Sequence, residues 1–370
     1  MADEDTLKKL YKLSANPFSQ RSNPSAPLAG RKLESGAWTS IVETAIGQRG
    51  SSLNFIEGDY GLGKTHSLYQ IQRLCDQRED VACVFLKLMM EDPVKNFGFD
   101  FIRRVFKHLP ASVLAKLARA KATGSLRQEH LPHFNVIAKF AAKTSPYYEL
   151  IIGGMATAAE IKKANIRRPP KTAEDMFEYL VVLLVMLKGA GVKTLVLLVD
   201  EAEYIFSQLN ERKSALVFNA IRSIYDLPDT PNLGLGYDTA NVVFFFAIST
   251  AGAGTLTRLE KVEAHQGGPI QPLMSRKGQV ISLTFLNREE TRELVTEYLH
   301  TDRVTGKRSA DPLIPYDAGF VDYVHQLTKG HPRKIVERCD YVLTEGVRDR
   351  APILTKQYAK QVFERLGLEA

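Results

Sequence analysis

Over the first 285 residues, short apolar runs alternate with stretches of helical periodicity. The apolar runs predict five strands, at 52–56, 81–88, 193–199, 241–248 and 279–285. Helical patterns precede and separate them, at 31–48, 64–77, 97–109, 172–187 and 211–226. The runs KTLVLLV (193–199) and NVVFFFAI (241–248) hold almost no polar residue, which is typical of strands buried on both faces of a parallel sheet. The pattern therefore predicts an α/β domain with these two strands at its centre.

The rest of the chain shows only helical patterns. Capping signals support the helix starts: Thr172 with Asp175, and Asn287 with Glu290, have the spacing of capping boxes. Pro332 suits the first position of a later helix. Strands that alternate with helices, followed by helices alone, predict an α/β domain and a small helical domain after it.

The first predicted strand leads into GDYGLGKT, which matches the phosphate-loop motif G-x-x-x-x-G-K-[ST] at every position. Glycines let the backbone wrap closely around phosphate oxygens, and the following helix adds its positive N-terminal end. Lys64 is expected to neutralise the β- and γ-phosphates of ATP, and the Thr65 hydroxyl to bind Mg²⁺. The predicted nucleotide-binding residues are Gly58, Asp59, Tyr60, Gly61, Leu62, Gly63, Lys64, Thr65 and His66.

An acidic pair, Asp200 and Glu201, follows the apolar strand at 193–199. The carboxyl end of a central strand faces the crevice where α/β sheets bind ligands. We expect Asp200 to hold Mg²⁺ and Glu201 to act as the general base that polarises the attacking water. The alternative is an ordinary acidic helix start, since Asp and Glu favour first turns.

Four further residues are candidates for the reaction. Ser249 and Thr250 end the strand at 241–248, where they would orient water or the γ-phosphate, or simply terminate the strand. Arg333 projects from the first turn after Pro332, where a folded-over helical domain would bring it to the γ-phosphate. Arg276 precedes the last strand and is either an arginine finger for a neighbouring subunit or a solvated loop residue.

Composition excludes several classes of protein. The chain has 370 residues, of which 44% are hydrophobic, so wholesale disorder is excluded. Three widely spaced cysteines offer no zinc pattern and fit a reducing compartment. The N-terminus has no apolar signal region, and the longest apolar run, Tyr179–Leu187, is far shorter than the ~20 residues of a spanning helix. A cytoplasmic protein without a membrane partner is expected.

The net charge of +7 is concentrated in one segment. Residues 103–171 hold 14 lysines and arginines against three acids, a net charge of +11, which leaves −4 for the remainder. Two strand–helix–strand units need roughly 60 residues, yet Lys64 and Asp200 lie 136 positions apart. Most of 110–171 is therefore an insertion, and it carries the basic charge.

Clustered bases without acids are typical of surfaces that neutralise nucleic-acid phosphates. A solvated basic face, or a docking site for an acidic protein, is the alternative reading. The candidate nucleic-acid residues of the insertion are Lys116, Arg119, Lys121, Arg127, Lys162, Lys163, Arg167, Arg168 and Lys171.

In combination, these motifs resemble those of the AAA+ ATPases. The ordered set is GDYGLGKT, LVLLVDEAE, the Ser249–Thr250 strand end, the Arg276 loop and GHPRK at 330–334. The Gly-x-Pro-Arg form is similar to the initiator branch, which includes origin-binding and loading ATPases, and to ATPases of transposition and phage-defence systems. The segments 16–18 and 28–34 resemble the part of these proteins that packs against adenine. The usual sensor asparagine is absent, and Ser249 or Thr250 stands in its place.

The resemblance implies three parts: an N-terminal segment near adenine (1–35), an AAA+ core (36–286) with the basic helical insertion at about 110–171, and an α-helical lid (287–370). It also implies assembly into a ring or spiral. The function expected is that of an ATP-hydrolysing switch on DNA that recruits or regulates a protein partner in replication, transposition or phage defence. The alternatives are an ATP-dependent switch on a protein partner without nucleic acid, and a scaffold that binds ATP without hydrolysing it.

Overall fold

The computed structural model describes residues 6–19, 29–48, 50–88, 96–121, 126–144, 147–152, 157–166, 169–204, 211–229, 238–250, 276–304 and 311–368. Five parallel strands in these residues form one sheet, in the order β2-β3-β4-β1-β5. The strands are β1 (Ser52–Gly58), β2 (Val81–Lys87), β3 (Thr194–Asp200), β4 (Asn241–Ser249) and β5 (Lys277–Ser282). The middle strand β4 therefore lies between β1 and β3.

The predicted central strands are confirmed. Every residue of β3 is buried, and so is every residue of β4 except the last. β3 pairs in parallel with β2 from Thr194 to Asp200 and with β4 from Thr194 to Val199. Strands covered on both faces need apolar side chains at successive positions, and this is the pattern that the two sequence runs show.

The last strand was predicted at 279–285, but β5 ends earlier, at Ser282. The next residues have other hydrogen-bond partners. The Thr284 carbonyl accepts a bond of 2.5 Å from the Arg31 guanidinium, and the Leu286 N–H donates to the Gly330 carbonyl at 2.9 Å. These bonds replace ladder pairing, a tertiary effect that the apolar run does not encode.

The helices before the last strand are α1 (Lys32–Gly47), α2 (Lys64–Asp76), α3 (Phe97–Lys107), α4 (Ala111–Ala118), α5 (Leu131–Ala141), α6 (Tyr147–Ile152), α7 (Ala158–Ala164), α8 (Ala173–Gly189) and α9 (Glu211–Asp226). Four more follow it: α10 (Arg288–Thr301), α11 (Ala318–Thr328), α12 (Pro332–Asp349) and α13 (Lys356–Arg365). Both predicted capping boxes form, at the starts of α8 and α10. A third box, Thr157 with Glu160, starts α7. None of the described helices is long and apolar enough to cross a bilayer.

The helices of the insertion share a hydrophobic core with the sheet domain. Buried side chains of α4, α5 and α6 belong to the same cluster as those of α3, α8 and β3. Phe140 of α5 meets Phe106 of α3 edge to face at 5.7 Å between ring centroids. The described helices of the basic segment are therefore packed onto the domain by their apolar faces.

The chain divides into two compact units. The lid unit comprises residues 1–36, 58–67 and 283–370, and the sheet unit comprises 37–57 and 68–282. In the lid unit, Tyr11, Leu13 and Phe18 join the core formed by α10–α13, and Phe18 stacks on Tyr298 at 5.4 Å. The domain boundaries at 35/36 and 286/287 stay a prediction.

Candidate functional site

The phosphate loop forms a tight turn between the end of β1 and the start of α2. The Leu62 N–H donates to the Asp59 carbonyl at 3.3 Å, and Lys64 is the first residue of the helix. The Lys64 ammonium donates to the carbonyls of Gly58 at 2.9 Å and Asp59 at 3.2 Å. The loop thus closes on its own lysine, and the ammonium is held at the N-terminal end of the helix, where an anion is favoured.

Two glycines of the loop have a backbone that L side chains rarely adopt. Gly61 has φ +82° and Gly63 has φ +102°. A Cβ on Gly63 would meet nothing within 4 Å, whereas a Cβ on Gly61 would lie 2.6 Å from the His331 ring. Glycine at 63 is therefore favoured by the backbone conformation of the turn. Glycine at 61 is favoured by that conformation and also by the close approach of the helix that contains Arg333. Thr65 is exposed, and His66 is half-buried.

Arg333 lies beside this loop, within the same lid unit. Its guanidinium stands 4.7 Å from the centre of the Tyr60 ring, and Tyr60 is 69% exposed. The half-buried His331 precedes it, and burial, followed by the nearby Lys334 charge, lowers its pKa. The helix start at Pro332 positions both residues, as the sequence predicted. The structure thus brings Arg333 to the tip of the phosphate loop.

Arg31 is a buried residue that the sequence analysis did not select as a site residue. It is 4% exposed, and its guanidinium bonds to the carboxylate of Glu34 at 3.0 Å and to the carbonyls of Leu62 at 3.3 Å and Thr284 at 2.5 Å. It therefore ties the phosphate loop to the chain that leads into the lid helices. The local signals were its place in the segment 28–34, which resembles the adenine-packing part of AAA+ proteins, and a glutamate three residues later.

The acidic pair lies at the carboxyl end of β3 in the sheet unit. Asp200 is the last residue of the strand and is 3% exposed. Glu201 follows with φ +56°, a left-handed conformation that costs a non-glycine residue of order 1 kcal/mol or more. Its carboxylate is about half exposed and lies 3.9 Å from the Lys87 ammonium. The Ala202 N–H bonds to the Ala247 carbonyl at 3.0 Å, which fixes this turn against β4.

Ser249 and Thr250 stand at the end of β4, the neighbour of β3. Both are half-buried, and Ser249 is the last strand residue. Because the strands are parallel, their carboxyl ends lie at the same edge of the sheet. Ser249 and Thr250 therefore share an edge with Asp200 and Glu201, and their role in the reaction stays a prediction.

Arg276 is held by groups of its own chain. Its Nε lies 2.9 Å and its Nη2 3.3 Å from the two oxygens of Asp226, and the guanidinium stands 6.0 Å from the centre of the Tyr225 ring. Arg222 also reaches the Asp226 carboxylate, at 3.4 Å. The side chain that the sequence suggested as an arginine finger is thus paired at the end of α9.

Most candidate nucleic-acid residues are exposed. Lys116 is half-buried, and its ammonium donates to the Glu79 carbonyl at 2.7 Å. Arg167 and Arg168 lie outside the described residues. The exposed candidates are Arg119, Lys121, Arg127, Lys162, Lys163 and Lys171. Lys162 and Lys163 occupy the last turn of α7.

The predicted site residues are divided between the two units. Lys64, Thr65 and Arg333 lie with the rest of the phosphate loop in the lid unit, and Asp200 lies with the other candidates in the sheet unit. Within the lid unit, the structure brings Arg333 against the loop. Within the sheet unit, it places the acidic pair and the end of β4 at one edge.

A scan against protein-family models and a search of curated proteins both find no match to this sequence. The fold is similar to three solved archaeal structures. The Aeropyrum pernix ORC2 protein, in ADPNP-ADP complexes, is 12% identical with a TM-score of 0.55 over 96% of this chain and 72% of that one. The Aeropyrum pernix ORC1 protein in complex with DNA is 12% identical with a TM-score of 0.52, over 95% and 68%.

The third is Cdc6p from Pyrobaculum aerophilum, 9% identical with a TM-score of 0.50, over 94% of this chain and 70% of that one. At these identities the likeness concerns the fold. The chain has the AAA+ fold of these initiator-like structures, a parallel sheet flanked by helices, as the sequence predicted.

Proposed function

We propose that the chain is an AAA+ ATPase that binds and hydrolyses ATP, oligomerises, and acts in the cytoplasm as a nucleotide-dependent switch on DNA. The observation that carries the proposal is the complete phosphate loop at a helix N-terminus with Arg333 of the lid unit against it. A loop of this kind binds nucleotide phosphates, and the adjacent arginine distinguishes whether a γ-phosphate is present.

The residues present fit ATP and Mg²⁺. The Lys64 ammonium bonds to the neutral carbonyls of Gly58 and Asp59, which phosphate oxygens can replace with a gain in charge pairing. Thr65 and Asp200 would hold Mg²⁺, which neutralises phosphate charge when it is bound. Both offer the oxygen ligands that this ion prefers.

Glu201 is the general base in this proposal. Its carboxylate is about half exposed, within reach of water, and lies 3.9 Å from the Lys87 ammonium. The left-handed backbone at Glu201 supports a functional role, since such strain persists where the surroundings enforce it. Ser249 or Thr250 would orient the water in place of the sensor asparagine.

Two substitutions test the nucleotide part. Lys64→Ala is expected to abolish tight ATP binding, measured by isothermal titration calorimetry. Glu201→Gln is expected to retain ATP binding but to lose hydrolysis, measured by phosphate release, and to trap the ATP-bound assembly. If wild type and Glu201→Gln show the same negligible turnover, the chain is an ATP-binding scaffold.

DNA is the proposed nucleic-acid partner, and the exposed bases of the insertion are the proposed contacts. The ORC1 structure to which this fold is similar was solved in complex with DNA. In Lys162→Ala/Lys163→Ala, loss of two phosphate contacts is expected to weaken duplex binding and to reduce the salt slope by about 2. Lys8→Ala/Lys9→Ala removes the same charge from exposed lysines of the lid unit and serves as the matched control.

A protein from the same replication, transposition or phage-defence system is the proposed further partner. Sizing with ATP, with and without duplex DNA, separates the alternatives. The DNA switch predicts that DNA promotes assembly and stimulates hydrolysis. ATP-dependent assembly that is indifferent to DNA, together with no DNA binding at low salt, would instead indicate a switch that acts on a protein.

A further inference from the structure

The tip of the phosphate loop packs against the first turn of α12. A Cβ on Gly61 would lie 2.6 Å from His331 Cε1, 3.0 Å from Arg333 Cβ and 3.2 Å from Arg333 Cδ. The stem of Arg333 therefore runs along the backbone of Gly61, and its guanidinium reaches the ring of the preceding Tyr60. All of these residues belong to the lid unit.

The contact between Tyr60 and Arg333 is a cation–π pair at 4.7 Å, within the range in which the ring attracts a guanidinium. A guanidinium over a ring face uses its flat side for the contact. In that arrangement the N–H donors lie in the plane of the guanidinium and keep their capacity to bind phosphate oxygens. Tyr60 can thus fix where the cation sits without consuming the groups that would recognise a ligand.

The sequence offers no other reason for a large aromatic side chain at this position. Tyr60 is a variable position of the motif, and its ring is 69% exposed, so burial in a core does not account for it. A flexible arginine loses rotamer freedom when it binds, and a platform that restricts the side chain beforehand reduces that cost.

The geometry points to Tyr60 as the positioning residue for Arg333: the ring holds the guanidinium beside the phosphate loop, and thereby sets how strongly the chain prefers a nucleoside triphosphate to the diphosphate. This inference rests on the proposed function, because it assigns to Arg333 the recognition of the γ-phosphate. The Tyr60 ring acts through Arg333.

The test compares ADPNP with ADP, by isothermal titration calorimetry, for wild type, Tyr60→Leu and Tyr60→Phe. Tyr60→Leu is expected to weaken ADPNP about two- to fivefold, the range of an exposed cation–π contact, and to leave ADP unchanged. Tyr60→Phe retains the ring face and is expected to restore the wild-type ratio. Tyr148→Leu, the same change at an exposed tyrosine of the sheet unit, is the matched control.

A double-mutant cycle isolates the pair. In the background of Arg333→Ala, Tyr60→Leu is expected to have no further effect on ADPNP, because the cation that it positions is gone. Equal weakening of ADPNP and ADP by Tyr60→Leu would overturn the inference and make the ring a general nucleotide contact. Full additivity with Arg333→Ala would overturn it as well.

Failure of this inference can be distinguished from failure of the proposed function. If wild type binds neither nucleotide, both the proposed function and this inference are wrong. If wild type binds nucleotide in a Lys64-dependent manner and Tyr60→Leu keeps the wild-type preference for ADPNP, the inference alone is wrong.

Discussion

The two units hold their key arginines in different ways. In the lid unit, Arg333 rests on the Tyr60 ring, a neutral partner that leaves the N–H donors available. In the sheet unit, two nitrogens of Arg276 pair with both oxygens of Asp226. The first arginine lies against the phosphate loop without a carboxylate partner among its described contacts, whereas the second would have to leave a carboxylate before it could act on a neighbouring subunit.

This difference indicates which of the two arginines could be controlled by assembly. An arginine on an aromatic face responds to nucleotide without breaking a strong bond, so its action depends on binding alone. A bidentate carboxylate pair of partly exposed groups is worth about 1 kcal/mol, and that energy opposes any use of Arg276 between subunits. If Arg276 is an arginine finger as proposed, assembly has to displace Asp226, and this exchange would couple hydrolysis to oligomerisation.

The largest effect is expected for Arg276→Ala. If Arg276 stabilises transition-state charge in a neighbouring subunit, its loss lowers turnover on the order of 10³-fold, measured as phosphate release at concentrations that give the assembly. ATP affinity of the isolated chain should not change. Mixing Arg276→Ala with Lys64→Ala should restore part of the activity, because one variant supplies the arginine and the other the intact loop.

Arg222→Ala is the control for that experiment, since Arg222 contacts the same carboxylate from one turn earlier in α9. It should keep near-wild-type turnover. Equal losses in the two variants, or no complementation in the mixture, would show that the arginines serve the structure of this helix end.

Gly330→Ala should have the next largest effect. Gly330 lies in the turn that precedes Arg333, and the substitution should destabilise that turn. Gly330 has φ +76°, and a Cβ there would lie 1.9 Å from the Leu286 carbonyl oxygen. Strain and overlap together should lower the free energy of unfolding by about 3 kcal/mol, measured by chemical denaturation. Gly319→Ala, in α11 with ordinary contacts no closer than 3.5 Å, should be neutral or slightly stabilising. Equal effects would contradict this account.

Asp226→Asn should have a moderate effect of opposite sign. The amide keeps the shape of the side chain but weakens the pairing, so Arg276 is released at a cost lower by about 1 kcal/mol. Turnover of the assembled protein is then expected to rise by up to about fivefold. A fall as large as that of Arg276→Ala would mean that Asp226 directs the arginine toward its target and does not restrain it.

The smallest effect concerns His331. Burial holds its folded-state pKa below the ordinary value of 6.5, so the unfolded chain binds the proton first as pH falls. Stability is therefore present above pH 6.5 and is lost as pH falls toward the folded-state pKa. Thermal unfolding between pH 7.5 and 5 should show a smaller loss for His331→Gln than for wild type. Identical pH profiles would contradict this sign.

Local patterns predicted the elements well because their signals lie within a few residues. The helix at 211–226 was predicted with its observed bounds, and the apolar runs of β3 and β4 correctly predicted central strands. The capping boxes of α8 and α10 formed as expected. The box of Thr157 with Glu160 has the same spacing and could have been found in the same way.

Contacts between distant residues were beyond such patterns. The phosphate-loop motif predicts that Gly61 turns the chain, but not that a residue 272 positions later lies against it. Arg276 was recognised as a candidate, yet nothing near it in sequence identifies Asp226 as its partner. An apolar helix face predicts burial and leaves the covering element unspecified.

The basic segment shares its hydrophobic core with the sheet domain, and this limits how the segment could be replaced by another sequence. A loop anchored only at its ends can be gained, lost or replaced in one step, because its removal exposes little. Here the apolar faces of α4–α6 complete the packing of α3 and α8. Any replacement for these three helices would need a matching apolar surface, whereas substitution of an exposed residue such as Arg119 leaves that packing intact.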